Sequence, residues 1–477
     1  MALLFYVFFV ILTLSMDYSA GGKHDMEKQL KKNDIIPLEI SGMSHDGNGV
    51  GRFQDFVLFV PMTAPGDKIL CHVVKVNHSF GYGRVMELLE PSPMRMENDC
   101  PAFRQCGGCS WRHIQYQEEL RLKQQSVEQN LKKIALFSQP LQPILSCKEE
   151  RYRNKAQYPI GKDEHGRVIV GFYARRSHRI IPCSDCKLQP EFFTVLCNVV
   201  KDWADRHQIS VYNEKTGKGL LRHLYLRTAQ KTGQTMVCVV ATSGKLPHEE
   251  ELCECLIQAE PSVRTVLINR NLENTNVILG KHNRILFGKG CIEDEICGVR
   301  IRISPQAFYQ VNRDAAEKMY QLAAEYAQPK DTETLLDLYC GTGTIGLTMA
   351  KRVSRLIGVE VIGQAVEDAK DNARRNQIAN AEFLCADAGK AAQHLANRGE
   401  RPDIIVVDPP RKGCDDNTLD AIVKMSPQRL VYISCNSATL ARDVAKLEQN
   451  GYHFVKGRPV DLFPRTTHVE AVVLLSR

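Results

Sequence analysis

Between residues 301 and 477, short apolar runs (TLLDLY, RLIGVEV, DIIVVD and RLVYISC) alternate with charge-rich stretches of helix length. Strands separated by helices must pair through crossovers, so this part predicts βαβ units on a parallel, Rossmann-like α/β sheet. Upstream the pattern changes. Residues 35–89 hold short β-rich runs with turn punctuation: PLEISGMSHDGNGVGRF clusters Gly, Asp and Asn, and VLFVPMTAPGDKILCHVVKV is two apolar runs around a Pro65-Gly66-Asp67 turn. This pattern predicts a five-stranded OB-like barrel of about 60 residues, in which Gly47, Gly49 and Gly51 read equally as hairpin turns. Pro91-Ser92-Pro93 follows as a linker. Residues 111–136 predict a helix, with Leu120, Val127, Leu131 and Ile134 recurring among Glu, Gln, Lys and Arg. YRNKAQYPI, GRVIVGFY, LLRHLYLRTAQ and GQTMVCVVA then predict strands of a mixed α+β region. The resulting division is a leader and linker over 1–32, a barrel over 33–92, a central domain over 93–300 and an α/β domain over 301–477.

Composition narrows this multidomain picture. The chain has 477 residues, 43% hydrophobic and 25% charged, which excludes wholesale disorder and a multi-span membrane protein. Its 17 cysteines are odd in number and scattered, arguing against a disulfide framework and for a reducing compartment, the cytoplasm. The net charge is +7, and residues 91–187 alone hold 17 basic against 10 acidic side chains. One segment therefore carries the surplus, as a face that meets polyanion would. Residues 2–16 are an almost unbroken apolar run, shorter than the ~20 residues of a membrane span and lacking a signal peptide's basic start and cleavage site. We expect translation to begin at Met26, in MEKQLKKND, and no stable membrane partner; anchoring or targeting is the alternative.

Four constellations carry chemistry. Asp337-Leu-Tyr-Cys-Gly341-Thr-Gly343-Thr-Ile-Gly346 follows a strand and opens a helix. Glycines there let backbone approach a ligand, and Glu360, ending the next strand, can hold both hydroxyls of an adenosine ribose. A dinucleotide is the first competing ligand. Asp408-Pro409-Pro410-Arg411-Lys412-Gly413 follows the strand DIIVV and reaches the carboxyl-end crevice of such a sheet. Ser434-Cys435-Asn436-Ser437 ends another strand on that crevice, where a thiol is intrinsically a strong nucleophile. Cys100-x5-Cys106-Gly-Gly-Cys109, completed by Cys183 or Cys186, has the look of a four-thiolate site for zinc or an iron–sulfur cluster.

Taken together, CPAFRQCGGC, QAFYQVN, LDLYCGTGTIGL, VVDPPRKG, YISCNSATLARD and HVEAVVLLSR resemble the RNA uracil-C5 methyltransferases. GVGRFQDFVLFVPMTAPGD resembles the TRAM domain. The branch they look like is the 23S rRNA (uracil-C5)-methyltransferases that carry a TRAM domain and a [4Fe–4S] cluster. The resemblance implies an S-adenosylmethionine-dependent methyltransferase that binds RNA, with 23S rRNA the favoured substrate and tRNA the alternative. It implies cofactor contacts at Gln310, Tyr339, Gly341, Gly343, Glu360 and Asp408, with Asp387 a further candidate. Cluster ligands would be Cys100, Cys106, Cys109 and Cys186, the nucleophile Cys435 and the base Glu470. The family usually reads S-C-N-P where this chain has Ser437, a change expected to loosen the loop after the nucleophile. A non-catalytic RNA-binding or assembly factor on a methyltransferase fold is the reading from another class.

Overall fold

The computed structural model describes residues 30–477 except Leu136 and Ser138. The apolar run 2–16 and the alternative start at Met26 lie outside the described residues. Among those described, no helix is long and apolar enough to cross a membrane.

Two compact units emerge, one of residues up to 42 with 48–92, the other of 43–47 with 93–477. The first is a closed barrel of β1 (Ile35–Met43), β2 (Gly49–Phe53), β3 (Phe56–Val60), β4 (Lys68–Val76) and β5 (Phe80–Glu90), in the order β1-β2-β3-β5-β4. Side chains on a strand alternate between faces, and here Ile36, Leu38 and Ile40 point inward to meet Leu58, Val60, Ile69, Cys71 and Val73. Gly49 and Gly51 prove to be strand rather than turn residues. A Cβ at Gly49 would fall 2.0 Å from Thr63 Oγ1, and one at Gly51 2.6 Å from the Glu39 carbonyl oxygen. Only glycine lets the barrel close so tightly there.

The second unit begins with α1 (Tyr116–Ile134). It buries Leu120, Val127 and Leu131 as its periodicity predicts, but it starts five residues later and leaves Ile134 43% exposed. Residues 111–114 are buried in non-helical backbone instead. Next comes a seven-stranded sheet of β6 (Lys155–Lys162), β7 (Val168–Tyr173), β8 (Ile180–Pro182), β9 (Leu221–Ala229), β10 (Gln234–Ala241), β11 (Val263–Arg270) and β12 (His282–Gly288), ordered β12-β11-β10-β9-β6-β7-β8. Helices α2 (Phe192–Arg206) and α3 (Glu249–Ala259) cover one face. The hairpin β13 (Ile292–Ile296) and β14 (Val299–Ile303) joins this sheet to the next: Asp294 accepts from the Gln230 and Lys231 N–H groups, while the Arg302 N–H donates to Asn372.

The C-terminal part runs α4 (Arg313–Ala327), β15 (Thr334–Leu338), α5 (Thr344–Met349), β16 (Arg355–Glu360), α6 (Gly363–Arg375), β17 (Ala381–Cys385), α7 (Ala388–Asn397), β18 (Ile404–Val407), α8 (Asp416–Met425), β19 (Arg429–Ser434), α9 (Ser437–Gln449), β20 (His453–Val460) and β21 (Glu470–Ser476). Its sheet is ordered β17-β16-β15-β18-β19-β21-β20, parallel through β19 and antiparallel beyond. Both faces are covered, so the central parallel strands are mostly apolar and β18 is entirely buried, whereas the edge strand β17 is partly exposed. The order reverses between β15 and β18, where a crevice opens at the strands' carboxyl ends.

Candidate active site

Because β15, β16, β18 and β19 run parallel, Tyr339, Glu360, Asp408 and Cys435 all emerge on the same edge of the sheet. After β15 the chain takes left-handed turns at Tyr339, Gly341 and Gly343 (φ 67°, 55° and 79°) before entering α5. A Cβ at Gly341 would meet nothing within 4 Å, so that turn faces open space, whereas Gly343 is packed against Phe383, Ala369 and Leu347. One glycine borders open space; the other serves helix packing. Glu360 is fixed by two backbone donors, Gly341 (3.1 Å) and Ile362 (2.9 Å). Behind the turn, buried Asp337 accepts from the Gly346 N–H at 2.8 Å, and burial pushes its carboxyl up to about 7. The Tyr339 hydroxyl bonds Thr418 at 3.3 Å, and Asp387 caps α7 by accepting from the Lys390 N–H. Gln310 lies just before α4 on a segment held by Asn154, whose amide donates to the Gln310 carbonyl at 2.9 Å.

The strand register brings the nucleophile and base candidates together. Ser434 pairs with Ala471 across the antiparallel β19–β21 ladder. One step outward, Cys435 therefore stands opposite Glu470, although the two are 35 positions apart in the sequence. Burial, then Glu470 and Asp408, push the Cys435 thiol up to about 11, against the pull of Arg411. Burial, then Asp408, push Glu470 up to about 8, again opposed by Arg411. Asp408 is itself raised to about 7 by burial. Three acidic groups and one guanidinium thus share a small, poorly solvated space.

The loop after Cys435 is bolted down. Asn436 caps α9, accepting from the Ala438 N–H at 3.0 Å, and its amide donates to the Arg411 carbonyl at 3.2 Å. Thr439 reaches the same carbonyl at 3.3 Å. Ser437 occupies the first helical position, where proline would be well placed. Its buried hydroxyl accepts instead from the Asn130 amide of α1 at 2.8 Å. The loosening expected of this replacement is thereby offset by a new tether.

A second cavity, of about 290 Å³, is lined by Cys100, Cys106, Cys109, Cys183 and Cys186, with Arg112, Arg153 and Lys155. The Gly108 N–H donates to Cys106 Sγ at 3.4 Å, and the Gln189 N–H donates to the Cys186 carbonyl at 3.0 Å. Thiolate donors, an N–H···S bond and nearby cations all fit an anionic cluster. A tetrahedral zinc site with Zn–S near 2.3 Å needs sulfurs about 3.8 Å apart. Among the described residues, no three of these sulfurs lie within 4.8 Å of one another. Four of these five thiols would hold such a cluster.

Sequence reasoning missed the polar groups beneath the crevice: Glu119, Lys123, Tyr152, Asn154 and Asn312. All five are buried. The signal available was two charges, Glu119 and Lys123, on the apolar face of an otherwise amphipathic helix.

A family model described as tRNA (uracil-5-)-methyltransferase matches residues 115–477, and a TRAM domain model matches 29–86. The chain belongs to the RNA uracil-C5 methyltransferase family. Similar proteins include an uncharacterized RNA methyltransferase of Clostridium tetani, 40% identical over 94% of this chain and 97% of the relative. Another, from Halalkalibacterium halodurans, is 42% identical over 94% of this chain and 99% of the relative. Among solved structures, the tRNA (uracil-54, C5)-methyltransferase of Pyrococcus abyssi in complex with S-adenosyl-L-homocysteine is similar with a TM-score of 0.74. It is 27% identical and the match covers 92% of this chain and 99% of that one. The protein is therefore an S-adenosylmethionine-dependent RNA methyltransferase with an N-terminal TRAM barrel, and the reading as a non-catalytic assembly factor gives way to that of an enzyme.

Proposed function

We propose that this enzyme methylates C5 of a uridine in 23S rRNA through a covalent Cys435 adduct. The observation that carries the chemistry is the Cys435–Glu470 juxtaposition across β19 and β21. C5 of uracil is a poor nucleophile. Addition of the Cys435 thiolate to C6 moves the ring's electron pair toward C5 as an enolate, which can then attack an electrophilic methyl group. S-adenosylmethionine supplies that methyl as a sulfonium and leaves as S-adenosylhomocysteine. Glu470 takes the C5 proton, the C5–C6 double bond re-forms and the Cys435–C6 bond breaks. Gln310, Tyr339, Gly341, Glu360 and Asp408 are proposed to hold the methyl donor, with Gly343 packing the turn behind Gly341 and Asp387 at the rim. The target must leave its stack, at a cost of a few kcal/mol that is smallest for a looped-out nucleotide. The basic stretch 91–187 and the barrel would offset that cost with phosphate contacts.

A pH dependence of turnover follows. Glu470 must be ionised to act as base and Cys435 ionised to attack, and both are held above their ordinary values. Because Glu470 acts after methyl transfer, kcat should rise with pH through about 8. A rate that is flat or falls from pH 6.5 to 8.5 would remove Glu470 from that role.

In this reading, residues 93–300 form an RNA-binding domain in which Cys100, Cys106, Cys109 and Cys186 hold a [4Fe–4S] cluster. Anaerobically purified protein should then show broad absorbance near the thiolate-to-iron region and about four irons per chain; colourless protein with one zinc would replace the cluster by zinc. tRNA is the second substrate reading, favoured by the P. abyssi enzyme, whose likeness extends over 92% of this chain. Mapping 5-methyluridine in rRNA and tRNA from cells with and without the gene decides between them. Loss of a methylated uridine from 23S rRNA supports the proposal, and loss confined to tRNA overturns its substrate.

A further inference from the structure

Glu470 is delivered by residues 461–469, a stretch between β20 and β21 with no regular structure of its own. Four consecutive carbonyls in it accept from four different parts of the chain. Leu462 accepts from the Asn312 amide (3.0 Å), Phe463 from Lys123 Nζ (3.1 Å) and Pro464 from the Tyr152 hydroxyl (2.9 Å). Arg465 accepts from the backbone N–H of Ser110 (2.9 Å) and Trp111 (3.1 Å). At the start of the stretch, Asp461 is gripped by Lys123 Nζ at 2.7 Å and the Tyr116 hydroxyl at 2.9 Å.

Arg465 itself sits at φ 68°, a left-handed conformation that costs a non-glycine residue roughly 1 kcal/mol or more. Such strain persists only where surroundings over-determine it, and here they do. Its N–H donates to Glu119 at 2.7 Å, and its guanidinium to the Ile114 carbonyl at 2.9 Å and to Glu149. Glu119 and Lys123 are wholly buried and bonded to each other at 2.7 Å.

Two of these anchors adjoin residues that line the thiol cavity. Ser110 and Trp111 directly follow Cys109. Tyr152 lies between Arg151 and Arg153, whose N–H groups donate to the Lys187 and Leu188 carbonyls just after Cys186, at 2.8 and 3.0 Å. The Cys109 segment therefore bonds the Arg465 carbonyl directly, and the Cys186 segment is linked to the Pro464 carbonyl through Tyr152. We infer that the thiol site acts as a positioning device for the catalytic base, holding residues 461–469 through Ser110, Trp111 and Tyr152 and thereby aiming Glu470 at the bound uracil. Tyr152, Lys123 and Arg465 are positioning residues in this arrangement. The inference rests on Glu470 being the base.

The step it controls is proton removal from C5, which comes after Cys435 has bonded to C6. A base out of place therefore stalls the reaction at a protein–RNA adduct, a result that general loss of folding cannot produce. The test uses the metal-loaded protein carrying Tyr152→Phe or Arg465→Gly; glycine accepts the left-handed backbone while deleting the guanidinium. Unmodified 23S rRNA and tRNA transcripts serve as probes. Each variant should lose about tenfold in turnover, as loss of one or two buried hydrogen bonds allows. The denaturant-stable adduct should rise severalfold, with S-adenosylhomocysteine affinity unchanged. Stripping the metal from the wild-type protein should reproduce the adduct and speed amide exchange at Arg465. Glu470→Gln is the control: no adduct there means that the reading of the base fails. Adduct in Glu470→Gln but not in either variant overturns the positioning role, as does a parallel loss of S-adenosylhomocysteine binding.

Discussion

Cys435→Ala should lower methyl transfer by at least about 10⁴-fold, because Cys435 is the thiol set opposite Glu470 and the covalent step has no substitute. RNA binding and S-adenosylhomocysteine binding should remain within about twofold, since the side chain lies at a strand end and contributes little to either the glycine turn or a phosphate contact. Its removal also relieves crowding near Asp408 and Glu470 rather than leaving a charge unpaired. The measurement is transfer of radiolabelled methyl to unmodified transcript beside calorimetric binding of S-adenosylhomocysteine. Methylation retained at a tenth of the wild-type rate would reject Cys435 as the nucleophile.

Glu470→Gln should have a different signature. The amide keeps the volume of the buried side chain but cannot take the C5 proton. Addition and methyl transfer proceed while elimination does not, so a methylated RNA remains bonded to Cys435. We expect stoichiometric adduct on denaturing gels and turnover reduced by about 10²–10⁴-fold, the usual share of general acid–base catalysis. A variant that turns over freely, with no adduct, assigns the base elsewhere. Together the two substitutions separate bond formation at C6 from proton loss at C5.

The candidate site was legible in uneven measure. Asp337, Glu360, Asp408 and Cys435 each follow a short apolar run, and a parallel sheet must bring such ends to one edge. Glu470 was different. Nothing local marks it beyond the HVEAVV motif, and its meeting with Cys435 depends on β21 adding antiparallel to β19 with Ser434 opposite Ala471. Ser437 was read as a loosened loop because its partner, Asn130, lies on a helix more than 300 residues away. Glu119 and Lys123 escaped notice for a related reason. Helical periodicity finds apolar faces, and these charges lie on such a face only because Asp461 and Arg465 come from the far end of the chain to meet them.

The sequence by itself determined the element types, the barrel and the family, since strand period, glycine turns and short motifs are local properties. Tertiary structure alone decided which charges are buried, which glycine borders open space, and how the cysteine loops are tied to the segment bearing Glu470. Those are properties of non-local hydrogen bonds and strand register, which no window along the chain contains.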